Sequence, residues 1–199
     1  GKLEAKTLQI PYSAGIVCPA PERYAEGELV LAFLKKDEEL GWRTVGRSYG
    51  TLYPHPDEIR AFARAIARAD ALVQKDAGRE ELRAFFVDLA VDPATRWHGL
   101  YELQSNAFFM SHYDRKREKR RALDPEEIHR LTEAFLAAPH SQTVPMLNAL
   151  REVEDPRIDA TAARLARALV DDTAGWESMV LLQALGHHAG HQGADDPTQ

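Results

Sequence analysis

The sequence predicts a mainly α-helical protein: an array of about seven helices in antiparallel pairs, preceded by a small antiparallel β segment. Three observations carry this. From Asp57 onward, apolar residues recur at helical spacing, with Ile128, Leu131, Phe135 and Leu136 as the cleanest stripe. Asp-Pro and Pro-acid steps at Pro56-Asp57, Asp92-Pro93, Asp124-Pro125 and Asp155-Pro156 punctuate those stripes where helices start or stop. Before Tyr53, short apolar runs lie between glycines and prolines, a strand-and-turn pattern. The expected organisation is a β-rich segment over 1–53, a helical domain over 57–188 and a flexible tail over 189–199.

At the start, Lys6–Ile10 reads as a short strand and Ile16-Val17-Cys18 as a second apolar piece. Pro19 and Pro21 follow and enforce an extended link. Glu28–Leu34 (ELVLAFL) reads as a strand, Lys35–Gly41 as a polar hairpin loop, and Trp42–Val45 as the strand that pairs back. Gly46–Tyr53 continues as strand or turn.

Pro56-Asp57-Glu58 opens a long helix with Ile59, Phe62, Ala63, Ile66 and Leu72 on its apolar side and arginines on the other. Gly78 separates it from a helix carrying Leu82, Phe85, Phe86 and Leu89. Asp92-Pro93 starts a third, with Trp97, Leu100, Tyr101, Phe108 and Phe109. In the next, Asp124 is the expected N-cap, Pro125 the first helical residue, and Glu126 and Glu127 complement the positive end of the dipole. Three further helices are expected. The first bears Val144, Leu147, Leu150 and Val153, the second Ile158, Ala162, Leu165 and Leu169, and the last Trp176, Met179, Val180 and Leu182.

Leu131 and Leu165, Phe135 and Leu169, and Leu147 and Leu181 are each separated by about 34 residues, a helical-repeat period. In this the stretch Leu123–Gly186 resembles HEAT-like helix-pair repeat proteins; an irregular helical bundle is the alternative. At the other end, Tyr24–Leu34 followed by Trp42-Arg43-Thr44-Val45-Gly46 resembles the closing hairpin of OB-like or netrin-like domains of bacterial extracytoplasmic proteins. That resemblance implies that the segment is the remnant of a larger domain and that Cys18 has lost a partner. It implies an extracytoplasmic setting if a signal peptide precedes Gly1.

The balance of 25 Lys and Arg against 31 Asp and Glu gives a formal net charge of -6, which argues against general affinity for nucleic acid or anionic membrane. No apolar run approaches the ~18 residues of a membrane span. Hydrophobic residues make up 44% of the chain, enough for a substantial core. The single cysteine, Cys18, forms no internal disulfide. The chain begins Gly1-Lys2-Leu3 without an initiator Met, so a processed or trimmed product is expected and the compartment stays open.

Three groups of residues carry possible chemistry. His187 and His191 stand i, i+4 and on a helix would chelate a metal such as zinc through neutral imidazoles, with Asp195 or Asp196 as an added ligand. Gly186 and Gly190 oppose that helix, and a solvated tail is the expected state. Arg115, Lys116, Arg117, Lys119, Arg120 and Arg121 form the dense basic run, a contact for an acidic partner or phosphates or simply a solvated helix extension. Without interleaved aromatics it lacks base-stacking positions. Gly46-Arg47-Ser48-Tyr49-Gly50 matches G-x-S-x-G, but a nucleophile elbow needs a helix after the serine, and Pro54 and Pro56 stand there instead. The scattered His98, His112, His129 and His140 point to no catalyst.

The leading functional expectation is therefore a non-enzymatic protein- or peptide-interaction module. A metal-binding protein using the terminal histidines comes second, and a hydrolase built on Ser48 third.

Overall fold

The computed structural model describes residues 7–10, 24–39, 41–45, 50–103, 123–150 and 153–170, the side chains at 169 and 170 excepted. Among these the protein is mainly helical, with six helices making up 58%. They are α1 (Ile59–Gln74), α2 (Arg79–Val91), α3 (Arg96–Leu103), α4 (Pro125–Ala137), α5 (Thr143–Ala149) and α6 (Pro156–Val170). The seventh expected helix, over Trp176–Leu182, lies outside the described residues, as do Ile16–Cys18 and the tail 189–199. The chain divides into two compact units, 1–60 and 61–199.

In the first unit, β1 (Leu31–Ala32) pairs antiparallel with β4 (Thr51–Leu52), and β2 (Leu34–Asp37) with β3 (Gly41–Thr44). The two pairs form one arm and its return. Phe33, between β1 and β2, donates its N–H to Gly50 O at 2.8 Å and accepts from Val45 N at 2.9 Å. Gly50 and Val45 approach so closely that a Cβ on Gly50 would lie 1.8 Å from Val45 O.

The hairpin differs from expectation in register. Lys35 and Lys36 belong to β2, opposite Arg43 and Trp42, and the chain turns at Glu38 and Glu39. Asp37 organises it: one carboxylate oxygen accepts from Glu39 N at 3.1 Å and the other meets Arg43 Nε at 3.3 Å. Polar side chains on an exposed two-stranded ribbon erase the alternation that marks a strand, so its true end was hidden. Glu28–Val30 is not a strand, and Thr7–Ile10 alternates exposed and half-buried positions without being one.

In the second unit, α2 packs against α3 and α4, α3 against α5, and α4 against α5 and α6. One cluster runs through these helices. Val87, Leu100, Leu131, Phe135, Leu147, Leu150, Ile158 and Ala162 are all fully buried in it. Each such side chain contributes about 1.5–3 kcal/mol of transfer free energy, which sets this cluster as the main stabiliser.

The start of α4 is as the sequence anticipates. Asp124 Oδ1 accepts from Glu127 N at 2.9 Å, and Glu127 Oε2 accepts from Asp124 N at 3.0 Å, closing a reciprocal capping box with Pro125 at the first turn. Asp155 caps α6 by accepting from Arg157 N at 2.9 Å. Arg157 also reaches Glu133 at 2.9 Å, tying the start of α6 to the C-terminal half of α4.

Other boundaries depart from expectation. Helix α3 starts at Arg96, after a turn over 92–95 in which Asp92 Oδ1 accepts from Ala94 N at 3.0 Å. Helix α5 stops at Ala149, so Leu150 is its cap and Val153 packs on the core from beyond the helix. In α1, Phe62 and Leu72 are buried, but Ala63 and Ile66 face outward. Ion pairs join α1 to the α2 side, and the Phe62 ring meets His98 of α3.

The ion pairs fix helix directions. Arg64–Asp92, Arg68–Asp88 and Lys75–Glu81 join α1 to α2 with numbers running oppositely, so these two helices are antiparallel. Arg83–Glu127 and Asp88–Arg130 join α2 to α4 with numbers rising together, so these two run the same way.

Candidate interaction surface

Two buried features make α3 a rigid platform. The first is Gly99. A Cβ there would lie 2.3 Å from Ala90 N and 2.4 Å from Phe86 O, so α3 crosses α2 in backbone contact. The second is Arg96, at the first position of α3 and 1% exposed. Its Nε donates to Ala90 O at 3.1 Å. One terminal nitrogen donates to Ala138 O and Ser141 O at 3.0 and 3.3 Å, and the other to Val91 O and Ala134 O at 3.2 and 3.1 Å.

Four of those carbonyls lie at the ends of α2 and α4, where the helix dipoles are negative; Ala134 O and Ala138 O also accept from the backbone N–H groups of Ala138 and Ser141. One planar cation thus caps two parallel helices and fixes the start of a third. Burial draws Arg96 below the ordinary guanidinium value, and the Asp92 carboxylate opposes it. An arginine keeps its charge throughout.

On that platform sits an aromatic strip. The Trp97 ring stacks on Tyr101, one turn on, with centroids 5.2 Å apart and planes at 22°. His98 stands edge-on to Trp97 at 5.1 Å and to Phe62 of α1 at 5.9 Å. Phe62 is buried, His98 half-buried and Trp97 44% exposed, so the strip grades from core to solvent. Partial burial holds the His98 imidazole below its ordinary value, because desolvation disfavours the cation. The exposed face offers two flat rings backed by rigid backbone. It can stack on or enclose apolar and planar groups.

Ser48 lies outside the described residues. Of its motif, Gly50 is explained by the close passage at Val45. His187 and His191, with Asp195 and Asp196, lie outside them too, as do Cys18, His112 and the basic run Arg115, Lys116, Arg117, Lys119, Arg120 and Arg121. His129 and His140 are exposed on α4 and the turn after it. Among the described residues there is no group of three or more His, Cys, Asp or Glu arranged to hold a metal ion. No helix among them is long and apolar enough to cross a membrane.

The sequence reading places Trp97 and Tyr101 simply on an apolar stripe. It misses Arg96 altogether, since an arginine just after a turn carries no mark of burial. The i, i+4 spacing of the two rings is the signal that was there to be used. No family model, no curated protein and no solved structure matches the chain.

Proposed function

We propose that the chain is a non-enzymatic protein- or peptide-interaction module that engages its partner through the Trp97–Tyr101 face of α3. The observation that carries this is an exposed tryptophan stacked on a tyrosine and held on a helix that Arg96 and Gly99 immobilise. Tryptophan and tyrosine dominate binding energy at protein interfaces because they bury large apolar area at small entropic cost. A preorganised platform further reduces the cost of association. The common direction of α2 and α4, with α3 between them in sequence, also favours an array of antiparallel helix pairs of the HEAT-like kind, whose long faces commonly bind peptides.

The test is selection of peptides from a displayed library on the whole chain, followed by affinity measurement. Peptides that use the face lose at least about tenfold on Trp97→Ala, near the hot-spot threshold, and much less on Trp97→Phe. Selected peptides that bind the wild type and Trp97→Ala equally would refute the assignment.

A further inference from the structure

The fastening of α1 differs in kind from that of the other helices. Of its sixteen residues only Phe62 and Leu72 are buried, and Val73 is 77% exposed. Besides these two side chains, a ladder of ion pairs, Arg64–Asp92, Arg68–Asp88 and, just past its last turn, Lys75–Glu81, joins it to the α2 side. The cations are open to water, with side-chain exposures of 70%, 46% and 52%. Salt screens such pairs.

Every acid on the α2 side has a second partner that does not belong to α1. Asp88 also binds Arg130 of α4, Asp92 accepts from Ala94 N, and Glu81 accepts from Gly78 N at 3.3 Å. Departure of α1 therefore leaves no carboxylate without a partner, and its own cations pass into water. By contrast α4 cannot leave without stranding Arg83, which is buried with Glu127. The link between α1 and α2 holds Asp76 at φ 51, the left-handed region that a non-glycine residue enters at a cost.

We propose that α1 is a hinged strap that opens at Asp76–Gly78 while α2–α6 stay folded, uncovering Phe85 and His98. Arg68 lies over the Phe85 ring at 5.4 Å and Phe62 covers one edge of His98, so both rings lose cover when the strap lifts. The opened state extends the aromatic strip that begins at Trp97.

Amide hydrogen exchange on the full chain, at 0.05 and 1 M NaCl, tests this. Amides of the α1 interior, from Ala65 to Leu72, are expected to show about 100-fold less protection than those from Leu131 to Phe135, as for a sub-global opening. Raising the salt lowers the α1 protection by about a further tenfold and leaves α4 unchanged. The double variant Arg64→Gln/Arg68→Gln reproduces the high-salt pattern at low salt. Equal protection in α1 and α4, or a gap that salt does not widen, overturns the proposal.

Discussion

Arg83 of α2 and Glu127 of α4 meet at 3.0 Å with only 8% of either side chain exposed. Glu127 spends its second oxygen on the backbone of Asp124, so a single carboxylate joins two helices and starts one of them. Breaking a buried pair from one side leaves the other charge stranded. Arg83→Met is expected to cost about 3–5 kcal/mol, because Glu127 is left buried without its partner. Arg83→Met combined with Glu127→Gln should recover more than half of that, since glutamine keeps the capping contact. Urea denaturation of the single and double variants gives the coupling, and additive losses would refute it.

Arg96→Leu removes a donor from five carbonyls, four at the ends of α2 and α4 and one, Ser141 O, in the turn after α4. The expected loss is at least about 3 kcal/mol. Arg96→Lys should fare little better, because one ammonium cannot span both helix ends as the planar fork does. Equilibrium unfolding of the pair reads this directly, and a lysine variant as stable as wild type would contradict the joint-capping role.

Gly99→Ala places a methyl group inside the backbone contact between α2 and α3. Destabilisation of at least about 2 kcal/mol is expected. Gly78→Ser is the control: a Cβ there meets nothing within 4 Å, and a serine at that helix start can only add a cap. Thermal melts of both variants should move in opposite directions or leave Gly78→Ser unchanged.

Two groups lend stability that is lost as the pH falls, Asp88 in the carboxylate range and His98 in the imidazole range. Burial tends to raise Asp88, but the hydrogen bonds from Arg130 and Arg68 outweigh it and hold the carboxyl below the usual aspartate value of 3.8. Its folded value being depressed, it lends stability that is complete above 3.8 and lost as pH falls through the lower, folded value. Asp88→Asn should therefore flatten the acid limb of the stability curve. The slope of unfolding free energy against pH, from about 5 down to 2, measures it.

His98 is held below 6.5 by burial, so the unfolded chain takes up its proton first. Stability is unaffected well above 6.5, declines as pH drops through that value, and levels off below the folded value. His98→Phe should remove this decline between about pH 7 and 5, and a proton titration by NMR of wild-type His98 should report the lowered value.

Much of the helical half was legible. The capping box at Asp124 follows from four consecutive residues, and Leu131, Phe135 and Leu147 are core at the spacing that marked them. These features are local, and local chemistry is written in neighbouring residues. What escaped was set by contacts distant in sequence. Whether Ile66 or Ala69 of α1 turns inward depends on where α2 lies, and an alanine-rich helix gives either face a similar claim. Arg96 is buried because carbonyls 38 to 45 residues away converge on it, which no window of sequence displays. The hairpin end at Asp37 was masked by lysines whose backbone pairs regardless of polarity. The Trp97–Tyr101 face was half legible: its spacing was visible, and its exposure was not.

The convergence on Arg96 has a consequence for the acid form of the molecule. Neither a guanidinium nor a peptide carbonyl titrates in acid, whereas Asp88 and Asp155 lose their charge there. Strong acid thus dissolves the carboxylate fasteners one by one yet spares this proton-indifferent knot, so the last remnant of native order at low pH should be the corner where α2, α3 and α4 are tied together.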